Sequence, residues 1–349
     1  MPSNVFWHKI ENGTDVGRIQ EVSKQLLAAL VERENVTLAE KIPLKVHFGE
    51  AGNVTYVRPE NYDGIIDFLE ARGVEPVFME TSVLYGGKRY RSDVHEQTAR
   101  DHGFARLPIV FADGEAGEHF AEVEIGKKHF KTFKVGGAFS DYDQVLILAH
   151  FKGHMMAGFG GAIKQLGMGC AAKGGKLAMH SGVKPQIINR KCQRCRVCLT
   201  RCNADALVIE ERRSYIDHAK CVGCGACMAS CPHRAITVMS VRGVLSMLGG
   251  MGNSFGERLA EGAYAAQLGK RNLYMNFAMS ITRGCDCEGR KMRPVMDDFG
   301  IFASTDPVAI DKACCDMAAE RGRRFRGQRT IAYAERIGMG SQDYDLKEI

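Results

Sequence analysis

The sequence has no apolar run of the roughly 18 residues that a membrane-spanning helix needs, which excludes such a helix. It also lacks a long block of lysine and arginine, so the formal net charge of +6 does not indicate nucleic-acid binding. Because the first residues lack a basic start followed by an apolar core, we expect no secretory signal. These absences predict a cytoplasmic protein with neither a membrane nor a nucleic-acid partner.

Thirteen cysteines stand out in a composition that is otherwise ordinary. The 349 residues are 45% hydrophobic and 25% charged, and this length suggests about two domains with a sizeable core. In a reducing compartment, cysteines seldom form disulfides and more often ligate metals or carry redox chemistry. The cysteine content therefore predicts a metal or redox function.

Segments of helix and strand character alternate along much of the chain. Residues 16–31 and 307–320 carry apolar residues at helical spacing, with a proline at the first turn of the second segment. Residues 42–48 and 143–149 are short apolar runs, typical of strands buried on both faces of a parallel sheet. The alternation predicts an α/β fold with a layered, mostly parallel sheet.

Cysteines dominate a stretch in the second half of the chain, where long periodic segments vanish. We predict that residues 1–187 and 241–349 form one α/β domain and that residues 188–240 form a small α+β insert. Three consecutive domains are the alternative, although the last ~110 residues are few for an independent domain that must also hold a site.

Two runs of four cysteines share the spacing C-x2-C-x2-C-x3-C, and a proline follows the second run. Bacterial ferredoxins have this spacing, and the fourth cysteine of each run binds the cluster of the other run. The spacing predicts a ferredoxin-like insert with two [4Fe–4S] clusters and crossed ligands. The first cluster would take Cys192, Cys195, Cys198 and Cys231, and the second would take Cys221, Cys224, Cys227 and Cys202.

Zinc sites and disulfides are the alternatives for these eight cysteines. Zinc sites usually contain two C-x2-C pairs about 12–20 residues apart, rather than two triplets that each have a trailing cysteine. Disulfides conflict with the expected reducing compartment. The spacing therefore favours iron–sulfur clusters.

The stretch from residue 150 to residue 184 is rich in glycine, histidine and lysine. Gly158, Gly160 and Gly161 open a predicted short helix that contains Lys164, and the first N–H groups of such a helix attract anions. There is no P-loop motif. We predict a bound anion or an acidic cofactor here, and a tight glycine connection with solvated lysines is the alternative.

Four segments of the chain have a recognisable sequence: VHFGEAGNVTYVRP from residue 46, LYGGKRYRSDVHEQTARDHGF from residue 84, HFKGHMMAGFGGAIKQLGMG from residue 150 and ITRGCDCEGR from residue 281. On these segments, the chain resembles the DUF362 family, a domain of unknown function, in the subgroup that carries a ferredoxin insert. At residues 79–85 the chain has METSVLY, where relatives usually have an Asp-Thr-Asn string. The resemblance implies the fold and the insert but no substrate. It also implies that one pocket, with candidate catalytic groups, is formed by His47, His95, His150, His154 and Lys164.

Cys285 and Cys287 flank an aspartate outside the two runs. Two such thiolates predict either an additional metal site or a redox pair, and a turn with two incidental cysteines is the alternative because a metal usually takes three or four ligands. Cys314 and Cys315 lie in a helical pattern, where core packing is expected.

The sequence thus predicts an iron–sulfur protein that passes single electrons through two [4Fe–4S] clusters to a redox partner protein. In the alternative function, it is an oxidoreductase whose clusters feed a substrate or cofactor site on the α/β domain, around His47, His150, His154 and Lys164. Clusters with a mainly structural role are a third hypothesis. The sequence leaves the substrate, the partner and the oligomeric state open.

Overall fold

The structure is a computed structural model that describes residues 2–180, 184–238 and 254–349. Its strands are β1 Ser3–His8, β2 Lys41–Lys45, β3 Glu75–Glu80, β4 Ile109–Phe111, β5 Phe120–Glu124, β6 Thr132–Gly136, β7 Leu146–His150, β8 Lys152–His154, β9 Gly158–Gly160, β10 Gln186–Ile187, β11 Leu207–Ile209, β12 Ser214–Ile216, β13 Ile236–Thr237, β14 Leu273–Ala278, β15 Gly300–Ser304 and β16 Tyr344–Glu348. The described α-helices are Val16–Arg33, Asp63–Glu70, Ser92–Asp101, Ala162–Gly169, Lys173–His180, Ala226–Ser230, Ser254–Gln267, Pro307–Glu320 and Gln328–Arg336.

The central sheet has eight strands in the order β16-β1-β15-β14-β7-β2-β3-β4. Only β15 runs antiparallel to its neighbours β1 and β14, and the other adjacent strands of this sheet are parallel. This arrangement confirms the predicted α/β fold with a mostly parallel sheet. In the part of the chain that the structure describes, no helix combines the length and the apolar character needed to cross a membrane.

Both faces of the sheet are covered by helices. Alternate residues of β7 point to opposite faces, so Leu146 and Leu148 enter one core while Ile147 enters the other. The first core also contains the buried side of helix Val16–Arg33. Asp15 caps the start of this helix, because its carboxylate accepts from the Arg18 backbone N–H at 3.1 Å. A strand that is buried on both faces has no polar side, which is why this segment is a continuous apolar run.

The cysteine-rich segment forms two small antiparallel sheets of its own, β10 with β13 and β11 with β12. Leu207, Met228 and Ile236 form a small core there together with Cys198. The segment packs on the α/β part where Ala116 contacts Ala226 and Ala229. The ion pair Arg201–Glu115, with 2.7 Å between nitrogen and oxygen, joins the two parts near this contact.

Candidate functional site

A cavity of about 230 Å³ lies beyond the carboxyl ends of β2 and β3. Ligands of open parallel sheets bind at this edge, because the loops that follow the strands converge there. We call it the strand-end cavity. Its ionisable lining includes His47, Glu80, Arg89, His154, Lys164, Lys176, His180, Cys285, Cys287 and Glu288. Its apolar lining includes Val83, Leu84, Met155, Met156, Met168 and Phe255.

The strand-end cavity brings together five of the residues singled out from the sequence, although they are far apart in the chain. Of the predicted catalytic group, the cavity is lined by His47, His154 and Lys164, and both cysteines of the C-D-C turn join them. His95 and His150 are not part of the lining. The structure therefore divides the predicted histidine cluster into cavity residues and residues of the surrounding core.

The sulfur of Cys285 has two hydrogen-bond donors next to it in the cavity. The Lys164 ammonium donates to its Sγ at 3.5 Å, and the Cys287 backbone N–H donates to the same sulfur at 3.5 Å. A hydrogen bond between the side chains of Cys285 and Cys287 lowers the pKa of Cys285 well below its usual value. Burial opposes this shift, and the charge of Lys164 adds to it. The same hydrogen bond raises the pKa of Cys287, so one thiol of the pair is held as a thiolate and the other stays protonated.

His154 completes a compact group with these two cysteines. The side-chain ligand atoms of His154, Cys285 and Cys287 all lie within 4.8 Å of one another. The backbone N–H of Ala157 donates to His154 Nδ1 at 2.9 Å, so the proton of a neutral ring resides on Nε2. Burial lowers the pKa of His154, which keeps this ring neutral.

Asp286 points away from the cavity and anchors the turn that carries both cysteines. Its carboxylate is fully buried and accepts from Lys152 Nζ at 2.6 Å and from His150 Nδ1 at 3.0 Å. His150 Nε2 lies 2.7 Å from the Met279 carbonyl oxygen, so each ring nitrogen faces an acceptor inside the protein. His150 therefore positions the C-D-C turn through Asp286, and it does not line the cavity.

Arg89 also lines the strand-end cavity, and it is 1% exposed. Its guanidinium donates to Glu50 Oε2 at 3.1 Å, to His47 Nε2 at 3.1 Å and to the Tyr85 hydroxyl at 2.6 Å. The Tyr85 hydroxyl donates in turn to the Cys287 carbonyl oxygen at 3.0 Å. These bonds link the loop after β3 to the C-D-C turn.

His95 belongs to an aromatic cluster instead of the cavity. Its ring lies 5.5 Å from that of Phe48 and 4.9 Å from that of Phe111, measured between centroids. Neither ring nitrogen has a hydrogen-bond partner among the described residues, and burial lowers the pKa of His95 well below its usual value. A neutral, packed ring accounts for this residue.

The glycines predicted to bind an anion have a different role in the structure. Gly158–Gly160 forms strand β9 rather than the start of the helix, and Gly161 precedes helix Ala162–Gly169. The first backbone N–H groups of this helix donate to the carboxylate of Asp311, Ala162 at 2.7 Å and Ile163 at 2.9 Å. The donors that an external anion would need are thus already bonded within the chain.

The eight cysteines of the two runs line two separate small cavities. One is lined by Cys192, Cys195, Cys198 and Cys231, and the other by Cys202, Cys221, Cys224 and Cys227. The fourth cysteine of each run lies with the first three of the other run, so the chain crosses between the cavities twice. Gly223 and Gly225 have φ angles of +71° and +76° in the loop around the second cavity, a conformation that glycine adopts without strain.

Several residues of the site carry no signal in a single sequence. Arg89, Tyr85 and Lys152 were not predicted, because their roles depend on contacts between segments that are distant in the chain. Asp286 was noticed only as the residue between Cys285 and Cys287. A buried charge requires a partner, which is the signal that could have indicated its ion pair.

The chain is an α/β protein with a mostly parallel sheet and a cavity at the carboxyl ends of its strands. Its attached cysteine-rich segment contains two separate cysteine-lined cavities. The family model described as a domain of unknown function, DUF362, matches residues 42–316, and the chain belongs to this family. No curated protein matches its sequence. A crystal structure of a protein from Thermotoga maritima is similar at 12% identity with a TM-score of 0.43, covering 89% of this chain and 60% of that one. This chain therefore spans less than two thirds of that protein.

Proposed function

We propose that this chain holds two [4Fe–4S] clusters in a ferredoxin-like insert and transfers single electrons through them. The observation that carries the proposal is the grouping of the eight cysteines into two sets of four, each around its own cavity. These are the crossed sets that the ferredoxin spacing requires. When bound, such clusters accept and release one electron each without rearranging the bonds of the protein.

The cysteine positions fit a cubane better than a zinc ion. A zinc ion with Zn–S distances of about 2.3 Å holds its sulfurs roughly 3.8 Å apart. Among the described residues, one group of three side chains has ligand atoms close enough together to share one ion, and its members are His154, Cys285 and Cys287. This group belongs to the strand-end cavity and not to the two cysteine runs. Within the described part of the chain, no three of the eight sulfurs form such a compact group, and a cluster with four metal corners does not require one.

The chain's own groups also suit a bound cluster in each cavity. The backbone N–H of Ala206 donates to Cys202 Sγ at 3.4 Å, and that of Ala235 donates to Cys231 Sγ at 3.3 Å. The two contacts occupy equivalent places after the two runs. Hydrogen bonds to cluster sulfurs stabilise the more negative, reduced state and so tune the potential.

A second candidate concerns the destination of the electrons. Tyr90 and Cys224 both pack against the cluster of Ala116, Ala226 and Ala229 at the edge of the insert, and the neighbouring residue Arg89 lines the strand-end cavity. Because the insert and the cavity meet through two adjacent residues, we favour an oxidoreductase whose clusters serve this cavity over a carrier alone. A redox partner protein in the cytoplasm would then supply the electrons.

Paired substitutions test the crossed ligation. If the ligands are crossed, Cys192→Ser with Cys231→Ser removes one cluster and leaves about four of the eight irons, whereas Cys192→Ser with Cys202→Ser removes both clusters. If each run binds its own cluster, the two results exchange. The measurements are iron content and electron paramagnetic resonance of protein purified without oxygen.

Buried Cys314→Ser serves as the matched control, because this cysteine lies in helix Pro307–Glu320 and lines neither cysteine cavity. It should keep the full iron content. A protein that contains zinc, or no metal, and still folds would refute the proposal.

A further inference from the structure

We propose that Cys285 and Cys287 are a redox-active dithiol that reduces a small-molecule disulfide in the strand-end cavity. The proposal rests on the proposed function in one respect, because the cluster pair supplies the electrons that regenerate the dithiol. The two residues are free thiols two positions apart, and their sulfurs lie within 4.8 Å of each other. To form a disulfide, the two sulfurs must approach to about 2 Å.

The first argument is the preparation of one sulfur as a nucleophile. Cys285 Sγ accepts from the Lys164 ammonium and from a backbone N–H, and its residue is only 1% exposed. A thiolate, not a thiol, attacks a disulfide, and a neighbouring lysine favours the thiolate. Cys287 is only partly buried and stays protonated beside it, which suits the resolving partner.

The second argument separates a dithiol from a metal site, which the same three residues could otherwise form. A histidine that ligates a metal almost always donates its other ring N–H to an acceptor. His154 does the opposite, because its Nδ1 accepts from the Ala157 N–H. The remaining proton is then on Nε2, where it blocks coordination and serves as a hydrogen-bond donor. His154 contributes to lowering the pKa of Cys285, as such a donor should.

The third argument is the number of electrons. Each cluster supplies one electron, whereas the reduction of a disulfide takes two, so a pair of clusters matches one dithiol. Tyr90 packs with Cys224 against Ala116, Ala226 and Ala229, and its chain neighbour Arg89 donates to Tyr85, which bonds the Cys287 carbonyl. Lys173 fixes Tyr90 in this position, because its ammonium donates to the Tyr90 carbonyl at 2.7 Å.

The reaction balances in three steps. The Cys285 thiolate attacks one sulfur of the substrate RSSR, forming a mixed disulfide and releasing RS⁻. The Cys287 sulfur then attacks Cys285, and the second RS⁻ leaves and takes the Cys287 proton as RSH. Two electrons from the clusters and one proton convert the new Cys285–Cys287 disulfide back to a thiolate and a thiol. With one further proton for the first RS⁻, the sum is RSSR + 2e⁻ + 2H⁺ → 2 RSH.

The apolar walls and the volume of the cavity limit the substrate to a small molecule. Met155 at the rim is 85% exposed, so the cavity is accessible from solvent. We therefore use 2-hydroxyethyl disulfide as the probe. The holoprotein is treated with it in the absence of oxygen, alkylated and digested with trypsin, which releases residues 284–290 as one peptide with both cysteines.

The proposal predicts that this peptide loses two hydrogens and escapes alkylation. Cys287→Ser should retain a mercaptoethanol adduct on Cys285, and Cys285→Ser should form neither product. Cys314→Ser is the control and should behave as the wild type. One zinc ion per chain that disappears in Cys285→Ser, or an adduct that forms equally on Cys314, would overturn the proposal.

The rate of alkylation provides a readout that does not depend on the clusters. An ordinary thiol with a pKa near 8.5 reacts roughly 80-fold faster at pH 8 than at pH 6. The rate for Cys285 should rise less steeply than this over the same range, and Lys164→Met should make the rise steeper. A steep dependence in the wild type would contradict a prepared thiolate.

Failure of the proposed function would be distinguishable from failure of this proposal. In the variant Cys192→Ser with Cys202→Ser, the disulfide should still form and dithiothreitol should still reduce it, but dithionite-reduced protein should no longer turn over. If the variant without clusters turns over as fast as the wild type, the link to the clusters is wrong. If no disulfide forms in a protein with intact clusters, the dithiol is wrong and the electron-transfer function stands.

Discussion

The substitution Asp286→Asn tests the anchor that holds the C-D-C turn in place. The Asp286 carboxylate is fully buried, and the ammonium of Lys152 and the ring of His150 both donate to it. An asparagine has the same shape but only one acceptor oxygen, and its NH2 group would face a donor. The substitution therefore leaves either Lys152 or His150 without its partner.

The expected cost follows from the burial of both charges. The side chains of Lys152 and Asp286 are 5% and 0% exposed, with 2.6 Å between nitrogen and oxygen. Removing one partner of such a buried pair costs about 3–5 kcal/mol, because the other charge remains unpaired. For 349 residues, an unfolding entropy of about 2.1 cal/mol/K per residue converts this cost into a lowering of Tm by about 4–7 °C.

The assay is thermal unfolding followed by far-ultraviolet circular dichroism, at one scan rate and without oxygen. Glu75→Gln is the matched control, because the Lys41–Glu75 pair has a similar distance of 3.0 Å but side chains that are 65% and 71% exposed. It should cost less than about 1 kcal/mol. Equal Tm values for Asp286→Asn and the control would refute the assignment of this pair as a buried anchor.

The stability that the ionised Asp286 carboxylate contributes should be fully present between pH 5 and pH 8. Burial opposes the ionisation of Asp286, but the charges of His150 and Lys152 outweigh it and lower its pKa. A carboxyl whose native pKa is below its unfolded pKa of about 3.9 contributes its full stability above that value, and loses it as the pH falls further. A difference in Tm that vanishes at pH 7 would contradict this sign.

Two further substitutions test a buried carboxyl and a close helix contact in the α/β part of the chain. Burial raises the pKa of Asp311 to about 6, so the folded state binds more protons between about pH 4 and pH 6 and loses stability as the pH rises through this range. Asp311→Asn should remove that loss, and equal differences from the wild type in denaturant midpoints at pH 4.5 and 6.5 would contradict it. A Cβ added to Gly64 would lie 2.0 Å from the Gln20 carbonyl oxygen. Gly64→Ala should therefore destabilise by about 1–3 kcal/mol in urea unfolding, whereas Gly86→Ala, with no atom within 4 Å, should be neutral.

Elements with a strong periodic pattern were predictable from the sequence. The predicted helix over 307–320 is confirmed as Pro307–Glu320, and the one over 16–31 extends to Arg33. Strands β15 and β16 were missed, for different reasons. β15 begins with a glycine after a polar loop, and β16 is a partly exposed edge strand with the sequence YDLKE, which lacks the apolar run of a central strand.

The site was predictable only where the ligand spacing is local. The crossed cysteine sets follow from intervals of two and three residues, whereas the strand-end cavity assembles residues from five distant segments. Histidine was the least informative residue type. His95 packs against aromatic rings, His150 anchors an aspartate and His154 meets a cysteine, and no feature of the sequence distinguishes these three environments.

The charges buried around the strand-end cavity are an argument for chemistry at this place. The pairs Lys45–Glu80, Arg89–Glu50 and Lys152–Asp286 are almost completely buried, with distances of 2.8, 3.1 and 2.6 Å. Replacing a buried ion pair by apolar side chains is often neutral or stabilising, so the stability of the fold does not explain three such pairs near one cavity. Fixed charges and dipoles do, however, stabilise charge that develops during a reaction, because they need not reorient when it appears. A thiolate that leaves a disulfide beside Lys164 is a charge of that kind.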